Sequence, residues 1–217
     1  LSNSQNYTFS DKSIILQTDI DLSKHYWKAI KTFSGVLDGK GHTIDYIMAK
    51  ADVEQELLLF LKGLDRGKIL NLTIGENCNI QIEGTDPYYP TISFCFEMRE
   101  HSVIDNCVNK ANIHVVRASV APFCGNMYET CTISNCDNYG DIYAEGGDAY
   151  GIVARVGRIY SYVEPGTIFN CNNYGTISSS YTAAGIAGGC YGIIKKCSNH
   201  GALKNIENKE RQGWCSG

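Results

Sequence analysis

The sequence predicts an all-β fold, a parallel β-helix (β-solenoid) with three short strands per coil and an N-terminal cap. Two observations carry that expectation. The first is a ten-residue motif, Ile133-Ser134-Asn135-Cys136-Asp137-Asn138-Tyr139-Gly140-Asp141-Ile142, which returns at 168–177, in altered form at 194–203, and earlier at 104–113. The shared pattern is I-x-N-C-x-N-x-G-x-I, and Ile69-Leu70-Asn71-Leu72 matches its front half. The second is a shorter motif that precedes it, cleanest as Ala184-Gly185-Ile186-Ala187-Gly188, also present as Tyr150-Gly151-Ile152-Val153-Ala154 and, more loosely, as Pro122-Phe123-Cys124-Gly125. Self-similarity at a period of a few tens of residues is the mark of a solenoid, because one short repeat cannot bury its apolar face alone.

Composition agrees with that class. The hydrophobic share of 43% supports a continuous core, and 22 glycines supply many turns. The net charge of −4 gives no reason to expect nucleic acid. No apolar run approaches the roughly 18 to 20 residues of a membrane span. The chain begins at Leu1 without a signal-like segment, which reads as a mature or trimmed piece.

Taken in order, residues 1–45 read as the N-terminal cap and first coil, and 46–217 as solenoid coils of one continuous domain that stops part-way through a coil. In Thr18-Asp19-Ile20-Asp21-Leu22 apolar and acidic residues alternate as in a half-buried strand. Asp38-Gly39 and Lys40-Gly41 make a tight turn between two apolar strands, with His42 as a corner residue. Val53 to Phe60 is rich in helix formers, yet Leu59 precedes Leu72 by thirteen residues as Phe94 precedes Cys107, so the repeat predicts a strand over Leu58–Leu61. The anchors Leu72, Cys107, Cys136, Cys171 and Cys197 are spaced by 35, 29, 35 and 26 residues, as expected for constant strands joined by variable loops. The insertions Glu83–Pro90 and Tyr160–Gly166 are rich in tyrosine and proline, and Gly213-Trp214-Cys215-Ser216-Gly217 reads as the start of another A-G-I-A-G copy.

Stacking predicts ladders of equivalent residues at the strand spacing of about 4.8 Å. Ile133 should lie between Ile104 and Ile168, and Cys107, Cys136, Cys171 and Cys197 should form a buried, reduced column. Asn106, Asn135 and Asn170 should bond along the stack, while Gly140, Gly175 and Gly201 suit a corner needing positive φ, a rule that Ala111 breaks.

These elements together resemble GLUG-repeat proteins, β-solenoid regions of large surface proteins of gut bacteria that also occur in IgA1-protease-like metallopeptidases. The resemblance runs from about Thr18 onward and rests on D-I-D-L-S, F-S-G-V-L-D-G-K-G-H-T-I, G-I-x-G and I-x-N-C-x-N-x-G-x-I in that order. It implies a right-handed helix and a cell-surface or extracellular location. No active site comes with it, since the peptidase chemistry of those relatives lies in a separate domain.

None of His25, His42, His101, His114 or His200 sits in an H-E-x-x-H context, and no metal, cofactor or catalytic residue is assigned. Asp105, Asp137 and Asp141 come from neighbouring coils, as in β-helix polysaccharide lyases or glycoside hydrolases, but occupy different repeat positions and read as turn carboxylates. The candidate binding residues are Tyr139, Tyr174 and His200, which share one repeat position. Such a row either stacks on a host glycan or surface protein, or braces its own corner as a cross-coil ladder. The expected role is a non-enzymatic adhesive or spacer stalk, monomeric or weakly associated end to end; the other class is a carbohydrate-active enzyme of the β-helix type.

Overall fold

The structure, a computed structural model, describes residues 8–25, 27, 29–47, 60–78, 80–83, 90–92, 94–128, 130–157, 164–206 and 214–216, with 90–92 and 214–216 described by their backbone alone. Short strands wind into coils, and each strand pairs in parallel with its counterpart one coil away. The coil from Cys95 shows the plan. Its strands Cys95–Arg99, Val103–Asp105, Val108–Asn109, Ile113–Val116 and Ser119–Ala121 belong to five sheets, here A to E. Sheets B and C are seven-stranded, A is six-stranded, and D and E are five-stranded.

The coil therefore has five short strands where the repeat pattern suggested three. The reason lies in the asparagine of I-x-N-C. Asn71, Asn106, Asn135 and Asn170 all have φ of +52°, and Lys196 at the same position has +55°. A left-handed residue turns the chain, and asparagine tolerates that conformation better than most side chains. It splits the motif into a sheet B strand such as Thr132–Ser134 and a two-residue sheet C strand such as Asp137–Asn138. The strands of sheet E, such as Ser119–Ala121, carry no repeated motif and were invisible to the pattern.

The predicted isoleucine ladder is present: Leu37, Ile69, Ile104, Ile133, Ile168 and Ile194 are in register in sheet B. From Leu37 to Ile168 they are buried, each contributing roughly 1.5–3 kcal/mol on removal from water. The asparagine ladder is present too. Asn106 Nδ2 donates to Asn71 Oδ1, and Asn170 Nδ2 to Asn135 Oδ1, both at 2.7 Å. Between those pairs Asn135 Nδ2 donates to Asp105 Oδ1 at 2.8 Å. At the A–E corner an aromatic stack fills the core. Trp27 stacks on Phe60 at 4.9 Å, and Phe94 on Phe123 at 5.0 Å.

Four expectations need correction. Phe60, not Leu59, is the equivalent of Phe94, because Leu61 pairs with Cys95. The corner 66–67 is one residue shorter than 100–102, so counting thirteen residues overshot. The strand is Leu61–Asp65; the helix-former run before Phe60 lies outside the described residues. Second, Gly140, Gly175 and Gly201 do not have positive φ. A Cβ at Gly140 would lie 1.9 Å from Ala111 O, and one at Gly201 1.9 Å from Gly175 O. Glycine is required there by the approach of the neighbouring backbone. Ala111 escapes because the preceding coil takes five residues, 75–79, between Ile74 and Ile80, where its own coil takes three.

Third, Trp214–Ser216 pairs with Thr182–Ala184 in sheet E, so Ser216 takes the place of Ala184, the motif's first residue, and Trp214 does not take that of Ile186. Fourth, Cys197 is only partly buried, unlike Cys107, Cys136 and Cys171, because no described sheet C strand stacks beyond its level. The block 1–45 holds strands at two levels of the stack, since Ser13–Ile15 pairs with Val36–Asp38 and Ile20–Asp21 with Thr43–Asp45. There His42 Nδ1 lies 3.2 Å from Asp19 Oδ1. The Thr43 amide and then this imidazole hold the Asp19 carboxyl below its ordinary range.

Candidate functional site

The corner between sheets C and D carries the predicted aromatic row. The two residues before it fix its direction: in the coils that carry the row the sheet C strand ends on an inward asparagine, so the next side chain points out. Tyr139 N–H donates to Asn109 O and Tyr174 N–H to Asn138 O, which sets consecutive rings one strand spacing apart. Tyr139 and Tyr174 stack at 4.7 Å and 7° between planes; Tyr174 and His200 stack at 5.0 Å and 11°. The structure thus brings together all three residues picked out by the repeat. Tyr139 is 50% exposed and Tyr174 41%. Partial burial, then the Asp137 carboxylate, raises the Tyr139 phenol above its ordinary pKa, so it stays neutral at physiological pH.

Stacking has a chemical consequence. Both faces of Tyr174 are covered by its neighbours. What the column offers a ligand is a ridge of ring edges and hydroxyls, plus the outer faces of Tyr139 and His200. Next to it on sheet D, His114 and Tyr143 meet edge to face at 4.6 Å and line a cavity of about 600 Å³ with Asn112 and Asp141. The tyrosine-rich insertions expected to extend the site, 84–89 and 158–163, lie outside the described residues.

Behind the column is a feature that sequence reading missed. Asn109, Asn138 and Asn173 are fully buried, and each donates from Nδ2 to the next asparagine's Oδ1 at 2.7 Å, ending on Asn199. Each also donates to the carbonyl two residues on, Asn138 to Gly140 at 2.9 Å for example. This inner ladder locks the corner that presents the rings. The asparagine before x-G reads as a turn residue; the signal that could have exposed it is its recurrence in every copy from Asn109 on.

The carboxylates weighed for acid–base work are engaged in holding coils together. Asp105 Oδ1 accepts from the Ser134 hydroxyl at 2.6 Å and from Asn135 Nδ2 at 2.8 Å. Asp137 Oδ1 accepts from Asn172 Nδ2 at 2.9 Å, and Asp141 Oδ1 from the Thr176 amide at 2.7 Å. Among the described residues no group of three or more His, Cys, Asp or Glu could hold a metal ion, and no helix is long and apolar enough to cross a membrane. No family model, curated protein or solved structure matches the chain.

Proposed function

We propose that the chain is a non-enzymatic display module, a repeat region of a bacterial cell-surface or secreted protein of the GLUG-like kind, serving as an adhesive or spacer stalk. One observation carries this reading: the acidic side chains that neighbouring coils contribute are acceptors for inter-coil hydrogen bonds, Asp105 and Asp137 flanking the B–C corner and Asp141 at the C–D corner. Acid–base catalysis of glycan cleavage needs two carboxyl groups facing one substrate bond. Here each is turned along the stack. The stacked column and the neighbouring His114–Tyr143 pair supply a polar aromatic ridge suited to a host glycan or a surface protein.

The test has two arms. Pectic, glycosaminoglycan and mucin glycans incubated with the protein should yield no new reducing ends and no unsaturated products; turnover of any of them contradicts the proposal. A glycan and matrix-protein binding screen should show weak binding that the double variant Tyr139→Ala, Tyr174→Ala reduces while the β-sheet circular dichroism is kept. Binding untouched by that variant removes the column from the site, and a silent screen leaves only the spacer role.

A further inference from the structure

Sheet A has a cleft of its own, on a different face from the aromatic column. Its floor follows from the sequence of three registered strands, Cys124–Met127, Val153–Val156 and Ala187–Cys190. Asn126, Arg155 and Gly189 are in register across the cleft, with Ala154 and Gly188 beside them in its lining. The third strand has glycine at both positions, Gly188 and Gly189, so the surface sinks there. Gly188 has a further reason to be glycine: a Cβ would lie 2.2 Å from Cε1 of Tyr150, whose ring lies across it from sheet E. Opposite Tyr150, the wall is made by Tyr128 and Tyr191. Tyr128 is fixed, its hydroxyl donating to Glu97 Oε1 at 3.3 Å with the Arg99 guanidinium 5.1 Å above the ring. Tyr191 is 53% exposed. The cavity measures about 700 Å³, within the usual range for ligand sites.

Among the described residues, one cation in this cleft lies outside any ion pair. Arg66, Arg99 and Arg117 pair with Asp65, Glu97 and Glu83. Arg155, in the middle of the floor, is the one described arginine outside any ion pair with a described residue. We infer that this cleft binds a carboxylated sugar, a hexuronate unit of an acidic polysaccharide, with the sugar carboxylate on Arg155 and a ring face on Tyr191. A guanidinium offers a planar fork that matches a carboxylate in two parallel hydrogen bonds. An exposed tyrosine supplies an apolar surface rimmed by a hydroxyl, as a pyranose ring requires. The Asn126 amide and the Thr182 hydroxyl, at the margins, are donors and acceptors for ring hydroxyls. The floor crosses three coils, roughly 10 Å at the strand spacing, which fits a chain segment better than a single residue. The inference is independent of whether the aromatic column binds anything.

The experiment is titration of the whole chain with oligogalacturonate, followed by calorimetry or ligand-observed NMR, with a neutral gluco-oligosaccharide and a sulfated dextran in parallel. Saturable binding of oligogalacturonate is expected, with the neutral oligomer weaker by about tenfold or more, the worth of a charge-assisted hydrogen bond. Arg155→Gln should weaken oligogalacturonate binding by about the same factor. Gly189→Tyr should abolish it by filling the floor; a Cβ there meets only Arg155 Cγ, at 3.8 Å, so the fold tolerates the plug. Both variants should keep the parent circular dichroism and melting temperature. No saturable binding of oligogalacturonate, equal binding of the neutral oligomer, preference for the sulfated polymer, or binding unchanged in Arg155→Gln and Gly189→Tyr would each overturn the assignment.

Discussion

A buried carboxamide costs free energy unless both its ends are bonded, and the inner asparagine ladder meets that demand at every level but the first. Asn109 Oδ1 is buried without a hydrogen-bond partner. Its counterpart in the preceding coil is Ile74, which has no N–H to offer from its side chain. The row changes from isoleucine to asparagine at that point, since Ile44 and Ile74 precede Asn109, Asn138 and Asn173. Two substitutions of the same chemistry should therefore differ. Asn109→Leu removes the orphaned oxygen and creates one at Asn138, leaving the number unchanged. Asn138→Leu keeps the orphan at Asn109 and adds a second at Asn173. Denaturant unfolding should show Asn138→Leu to be the more destabilising by about 1–3 kcal/mol, the cost of one unsatisfied buried polar group. Equal effects would mean that the ladder does not act as a directional chain. The outer ladder of Asn106, Asn135 and Asn170 was legible in the sequence because cysteine follows each asparagine. The inner one was hidden by the glycine after it, which pointed to a turn. Burial at that position depends on the neighbouring coil, which a single copy of the motif does not contain.

At the scale of the strand, the cysteine column shows what a ladder does to chemistry. Cys107, Cys136 and Cys171 are buried, and their thiols point at carbonyls of the preceding coil, Cys136 Sγ to Ile104 O at 3.8 Å for instance. Burial pushes the Cys136 thiol well above its ordinary pKa, whereas hydrogen bonding with Cys136 and Cys197 lowers that of Cys171, so exclusion of the reagent by burial is what protects the column. Cys190 is exposed and Cys197 half-buried. In the folded protein a thiol reagent should label Cys190 and Cys197 first and leave Cys107, Cys136 and Cys171 unmodified until denaturant is added; mass mapping of the labels checks the order. Rapid labelling of Cys136 in the native state would break the ladder, and a disulfide among the four would break it equally. Strand positions for these residues were predictable because isoleucine recurs in every copy and cysteine in all but the one with Leu72. Strand number was not, because the sheet C strands within the repeated motif are two residues long and sheet E strands share no motif. Short strands leave too few positions for any period to register.

For the whole molecule, stability is a sum over neighbouring coils, each covering the apolar row of the last. The stacked rings, the orphaned oxygen and the cleft on sheet A all depend on which residue lies over which. Through-hydrogen-bond N–C′ couplings in deuterated protein read that register directly. Along sheet C the amide nitrogens of Val108, Asp137, Asn172 and Ser198 should couple to the carbonyl carbons of Leu72, Cys107, Cys136 and Cys171, matching hydrogen bonds of 2.9, 3.1, 3.0 and 3.2 Å. Couplings from these amides to carbonyls one residue away, or a pattern of antiparallel exchange, would contradict the stack and the functional readings built on it.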